Sequence, residues 1–107
     1  MSKDLKVAEL LDTYGSILND KQRLAMEYYY YEDYSLSEIS QNVGVSRQGI
    51  NDLIKRSKAM LYSCEENLGI IKRRQNCLKK LQEIKNNFDN PKLLKQIQEL
   101  ENYLKEI

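Results

Sequence analysis

Apolar residues recur three and four apart along nearly the whole chain, and no stretch alternates apolar with polar positions as a half-buried strand does. The pattern predicts an all-α protein. Val7, Leu10, Leu11 and Tyr14 mark one face of a first helix, which should end near Gly15, a residue suited to a left-handed stop. Asn19 or Asp20 can cap a second helix, on which Leu24, Tyr28 and Tyr31 form the expected inner face. Within "EYYYYEDY" consecutive tyrosines point in different directions, so the spacing predicts Tyr28 and Tyr31 packed inward and Tyr29 and Tyr30 at the margin. Stacking on single-stranded bases is the functional alternative for such a run.

Ser35-Leu-Ser-Glu38 has the capping-box form, in which the serine oxygen accepts from the third helical N–H and the glutamate reaches back. A third helix therefore starts at Leu36, carries Leu36, Ile39 and Val43 on one face, and ends at Gly44. Val45 and a new cap, Ser46, follow at once. The fourth helix should run from Arg47 to about Asn67, with Ile50, Leu53, Ile54, Met60, Leu61, Cys64 and Leu68 on or near its apolar side. Gly69 can terminate it.

Two further helical segments follow, "IIKRRQNCLKKLQEIKNNF" and "PKLLKQIQELENYLKEI", separated by Asp89, Asn90 and Pro91, a break and restart. In the last of them Leu93, Ile97, Leu100, Leu104 and Ile107 step by 4, 3, 4 and 3, the spacing of a short coiled-coil seam. Cys77 or Leu78, Leu81, Ile84 and Phe88 give the preceding helix a matching stripe. The expected organisation is a domain over residues 1–69 and a C-terminal helical hairpin over residues 70–107. The hairpin would serve as a dimerisation or partner surface, with Leu93, Ile97, Leu100 and Leu104 as contacts. Packing on the body of the same chain and packing on a second copy would both bury the seam.

A chain of 107 residues suffices for one domain with a modest core, or a smaller domain with an extended arm. No apolar run approaches the roughly 20 residues of a membrane span, so a soluble, cytoplasmic protein without a membrane partner is expected. The two cysteines, Cys64 and Cys77, fall on helical sequence and are read as free thiols. The absence of histidine excludes the common zinc spacings and every Ser-His-Asp or Cys-His arrangement. The four scattered glycines make no phosphate-cradling loop. The expectation is therefore a protein that is not an enzyme, with no metal and no cofactor. Charge is uneven: residues 1–34 hold four Lys/Arg against seven Asp/Glu, whereas residues 35–80 hold nine against four. A basic middle of this kind suits a polyanionic partner and is also common on ordinary helical surfaces.

The stretch "LSEISQNVGVSRQGINDLIKR" supplies what a helix-turn-helix needs: a small residue at the crossing, Ser40; a left-turning residue, Gly44; and apolar positions that hold the pair, Ile39, Val45, Ile50 and Leu53. Ser46 caps the second helix, leaving Arg47, Gln48, Asn51, Asp52, Lys55 and Arg56 on its outer and flanking faces. Arg can bond guanine, Gln and Asn can pair with adenine, and Lys or Arg can hold phosphates. The expected nucleic-acid contacts are Ser46, Arg47, Gln48, Asn51, Lys55 and Arg56. Gly49 suggests close approach by another backbone, of the preceding helix or of a nucleic acid. Asp52 would repel phosphates unless it accepts from a cytosine amine or is tied to Lys55 or Arg56. A helix pair with a merely solvated polar face is the bland alternative.

The segment "LNDKQRLAMEYYYYEDYSLSEISQNVGVSRQGINDLIKRSKAML" resembles the promoter-binding helix-turn-helix domain of sigma factors. "YGSILNDKQ", "YYYEDYSLSEIS" and "VSRQGINDLIKR" are more closely similar to the YlxM family of small bacterial helix-turn-helix proteins, over about Leu5 to Leu68. The resemblance implies a domain without a β-wing and a DNA-binding regulatory protein encoded beside the genes of the signal recognition particle, taking part in that pathway. It also leaves open an RNA- or protein-interaction factor of the particle, contacting its RNA or its GTPase without binding DNA specifically. By position the family's motifs fall on Ser46, Arg47, Gln48 and on Ile54, Lys55, Arg56, whereas Gly49 stands where a larger residue is expected. Promoter reading is not expected to carry over, because the resemblance covers none of the other sigma domains and Asp52 would be unfavourable near phosphate. As a regulator, a homodimer would present two recognition helices to half-sites about one turn of duplex DNA apart.

Overall fold

The first four helices each begin on a side chain that accepts otherwise unpartnered backbone N–H groups. In the computed structural model, which describes residues 3–107, α1 (Leu5–Tyr14) starts at Asp4, whose carboxylate accepts from the Lys6 N–H at 2.9 Å. Reciprocal capping boxes open α2 (Asp20–Tyr30), through Asn19 and Gln22, and α3 (Leu36–Val43), through Ser35 and Glu38. The Ser46 hydroxyl accepts from the Gly49 N–H at 3.0 Å at the start of α4 (Arg47–Leu68). Two more helices, α5 (Ile70–Asn87) and α6 (Pro91–Glu106), complete an all-α chain with no strand among the described residues.

The chain divides into two compact units, Met1–Leu68 and Gly69–Ile107; Met1 and Ser2 lie outside the described residues. In the first unit α1, α2 and α3 all pack against α4. Their shared core holds Val7, Leu10 and Leu11 of α1, Ala25 and Met26 of α2, Ile39 of α3, and Ile50, Leu53, Ile54 and Leu61 of α4. Ser57 is also fully buried in this core, its hydroxyl donating to the Leu53 carbonyl at 2.8 Å, so the polar group is satisfied within its own helix. The Tyr14 hydroxyl reaches from α1 to Glu65 on α4 at 2.5 Å.

Three expectations change here. Gly15 is right-handed, with φ −54° and ψ −25°, and opens a 3-10 turn over Gly15–Ile17. Its glycine is explained by packing, since a Cβ there would stand 3.3 Å from Leu11 Cδ1. The inner face of α2 is Ala25 and Met26, whereas Leu24 and Tyr31 are 41% and 45% exposed. On α4, Met60 and Leu68 are exposed, so its buried stripe is narrower than the apolar pattern suggests.

The tyrosine run is occupied internally. Tyr28 stacks on Tyr34 at 5.0 Å between centroids, and Tyr31 donates its hydroxyl to Asp12. Lys3 lies 3.7 Å from the Tyr29 ring centroid and donates to the Tyr29 and Tyr34 carbonyls at 2.8 and 2.7 Å, with Asp33 at 3.2 Å. One cation thus satisfies the C-terminal end of α2 and holds the loop that leads into α3. Burial first, and then the neighbouring Tyr29, pushes the Tyr30 hydroxyl up to about 12.

In the second unit α5 and α6 pack together as an antiparallel hairpin. Asn90 caps α6 by accepting from Lys92 and Leu93, and Pro91 occupies the first helical position, where no N–H is needed. Gly69, at φ +63°, stands left-handed between α4 and α5. Glu101 is buried and receives Lys85 of α5 at 3.1 Å, an ion pair set into the hairpin.

Candidate nucleic-acid interface

The turn between α3 and α4 is fixed by three local interactions. Gly44 is left-handed, with φ +75°, and its N–H donates to the Ser40 carbonyl at 3.0 Å. The Ser40 hydroxyl donates to the Val45 carbonyl, so this small residue at the helix crossing also closes the turn. The Ser46 cap then starts α4. Gly49 has an intramolecular cause: a Cβ there would lie 2.6 Å from Val45 Cγ1 and 3.1 Å from the Ser46 hydroxyl. The crowding comes from the Val45 side chain and not from another backbone, which corrects the expectation for this residue. Val45 is β-branched and has few rotamers with which to yield.

Beyond that turn, Ser46, Arg47, Gln48, Lys55 and Arg56 are exposed and Asn51 is half-buried. Ile50, Leu53, Ile54 and Ser57 occupy the opposite, buried side of α4. At about 100° per residue, Arg47, Gln48, Asn51, Lys55 and Arg56 cover one half of the helix circumference. Among the described residues, none of Arg47, Lys55 and Arg56 is held in an ion pair. Three guanidinium or ammonium groups are therefore available to an anion without first giving up an internal partner. Leu36 of α3 joins Arg47, Gln48 and Asn51 around an open cleft of about 470 Å³ at the N-terminal end of α4.

Asp52 is bonded neither to Lys55 nor to Arg56. Its carboxylate accepts from the Gln48 amide at 3.3 Å, one helical turn back. The sequence reading missed Leu36 as a wall of the cleft, and it missed Lys58, which lies on the same arc as Arg47, Asn51 and Lys55. Spacing of three from Lys55 and seven from Asn51 carried the signal for Lys58. At the start of α3, Glu38 accepts from the Ser35 N–H at 3.0 Å, and this bond holds its carboxyl below the ordinary carboxylate range.

The four proposed dimer contacts are not alike. Ile97 is buried, Leu93 and Leu104 are half-buried, and Leu100 is 47% exposed. Leu100 is accompanied by exposed Tyr103 and Ile107 at helical spacing. Cys64 and Cys77 are free, no group of metal-ligating side chains occurs among the described residues, and no described helix is long and apolar enough to cross a membrane.

Two helices joined by a left-handed glycine turn, the second with its polar face outward, make this a helix-turn-helix protein. The chain belongs to the UPF0122 family, whose model, described as "Putative helix-turn-helix protein, YlxM / p13 like", matches residues 1–103. It is 42% identical over 105 residues to a UPF0122 protein of Thermoanaerobacter sp. (strain X514), covering 92% of this chain and 90% of that one. A UPF0122 protein of Caldanaerobacter subterraneus subsp. tengcongensis is 49% identical over 76 residues, 71% of this chain and 65% of the relative. One from Fusobacterium nucleatum subsp. nucleatum is 41% identical over 96 residues, 90% and 93% of the two chains.

Proposed function

We propose that this protein is a non-enzymatic regulator that binds duplex DNA through the N-terminal half of α4. Ser46, Arg47, Gln48 and Asn51 would face the major groove, and Lys55 and Arg56 would hold phosphates. The observation that carries this reading is the exposed arc of Arg47, Lys55 and Arg56, without internal ion pairs, on the second helix of a helix-turn-helix. The arm would join two copies, with the exposed Leu100 at the contact, Leu93 and Leu104 at its margin, and Ile97 holding the hairpin beneath. Two recognition helices would then meet half-sites about one duplex turn apart.

The test is titration of purified protein with random duplex DNA over a range of salt, with signal recognition particle RNA as competitor. Removing one cation from a phosphate lowers the slope of log K against log salt by about 0.9. Replacing both Lys55 and Arg56 with Ala should therefore weaken binding and reduce that slope by nearly 2. Unchanged affinity in the double variant would remove α4 as the reader, and preference for the particle RNA would assign the scaffold to protein targeting.

A further inference from the structure

The carboxylate that looked out of place on the recognition face has a partner that gives it a purpose. Asp52 Oδ1 accepts from Gln48 Nε2 at 3.3 Å, and both residues are exposed on α4, with Gln48 also lining the cleft beside Leu36, Arg47 and Asn51. A carboxylate only accepts, so the bond fixes which end of the Gln48 amide faces it: the NH2 group points to Asp52 and the carbonyl oxygen points away. One amide hydrogen is used in this bond. The second hydrogen and the carbonyl oxygen stay available, side by side, as one donor and one acceptor.

In the major groove adenine offers a matching pair, the N7 acceptor and the N6 amino donor, whereas guanine offers two acceptors. Resting on the proposed DNA-binding reading, we propose that Asp52 is a positioning residue that orients Gln48 to read adenine. The negative charge of Asp52 opposes phosphate contact, so its presence on this face lowers non-specific affinity while it sharpens base discrimination. Leu36 supplies the cleft's apolar wall, a surface suited to the C5 methyl of a thymine. Asn51, three residues on from Gln48, lines the same cleft and can bond the neighbouring base.

The experiment is selection of duplexes from a randomised library with the full-length protein, followed by titration of the selected site, of a site with adenine changed to guanine at each position, and of 7-deazaadenine versions. The unaltered chain should prefer adenine at one position by about tenfold or more, and the 7-deaza base should lose that margin. Gln48→Ala should bind both sites alike. Asp52→Ala should bind random duplex as well as or better than the unaltered chain, yet keep only about two- to threefold of the adenine preference. Asp52→Asn, which retains an acceptor oxygen, should restore most of it.

Full adenine preference in Asp52→Ala would overturn the positioning role. So would a preference for cytosine that vanishes in Asp52→Ala and survives in Gln48→Ala, since Asp52 would then be reading a base itself. Salt-sensitive binding of random duplex with no base preference at any position would sink this inference and leave the DNA-binding reading standing. Failure to bind duplex at all would sink both.

Discussion

The helix-turn-helix unit and the C-terminal hairpin are built from the same kind of amphipathic helix, yet they bury it differently. In the first unit three helices converge on α4, and Leu10, Ala25, Met26, Ile39, Ile50 and Leu61 are each completely buried. In the second, two helices face each other and only Ile71, Ile97 and Glu101 fall among the buried described residues. A pair of helices encloses little interior of its own, so its seam remains half-wet. The unit that positions the candidate recognition face is the one that can hold side chains in a single arrangement, and the hairpin is the one with apolar surface left over.

The largest effect expected from that contrast is at Leu61. Truncation to Ala inside a core closed on all sides should cost about 2–5 kcal/mol, whereas Ile97→Ala should fall near 2 kcal/mol, because the thin hairpin can collapse around the gap. Denaturant titration combined with hydrogen exchange on the full chain reads both, and α5 and α6 amides should exchange faster than those around Leu61. Equal costs and equal protection would erase the contrast.

A smaller effect sharpens it within the hairpin. Lys85→Ala leaves the Glu101 carboxylate, whose side chain is 9% exposed, without its cation and should cost about 1–3 kcal/mol. Glu101→Leu should be neutral or stabilising by up to about 1 kcal/mol, since Lys85, at 27% exposure, can turn into water and the new side chain extends the apolar seam. A loss in Glu101→Leu as large as that in Lys85→Ala would mean that the ion pair, and not the apolar stripe, holds α5 to α6.

The smallest expected effect separates the units by pH. The Ser35 backbone N–H lowers the Glu38 carboxyl below its ordinary range, so the stabilisation it gives is complete above that range. It is lost as pH falls through the lowered value in the folded state. Amide shifts across an acid titration should show the first turn of α3 loosening there. The start of α6, capped by the uncharged Asn90, should be indifferent to the same change. A matching acid transition at α6 would point to a cause other than the cap.

The particulars of the candidate site were legible to different depths. Ser35, Glu38, Gly44 and Ser46 could be assigned from residue order, because each acts within three or four residues of itself. Their consequence, a polar face running from Arg47 to Arg56, followed from helical geometry. For Asp52 the sequence pointed to Lys55 or Arg56, and the partner is instead Gln48, one turn back, because opposite charge does not by itself decide which neighbour a side chain meets. Leu36 entered the cleft only because α3 folds back on α4, a relation between helices and not between neighbours in sequence.

By itself, then, the sequence determined where the helices begin and end, the turn between α3 and α4, and the family, since caps, left-handed glycines and proline restarts are decided by forces that reach about one helical turn. Tertiary structure alone decided that Ala25 and Met26, rather than Leu24 and Tyr31, face the core, that Lys3 closes the end of α2, and that Glu101 is buried with Lys85. Those outcomes depend on which surfaces meet across long sequence separation, where several faces of similar apolar content compete and the best-packed contact wins.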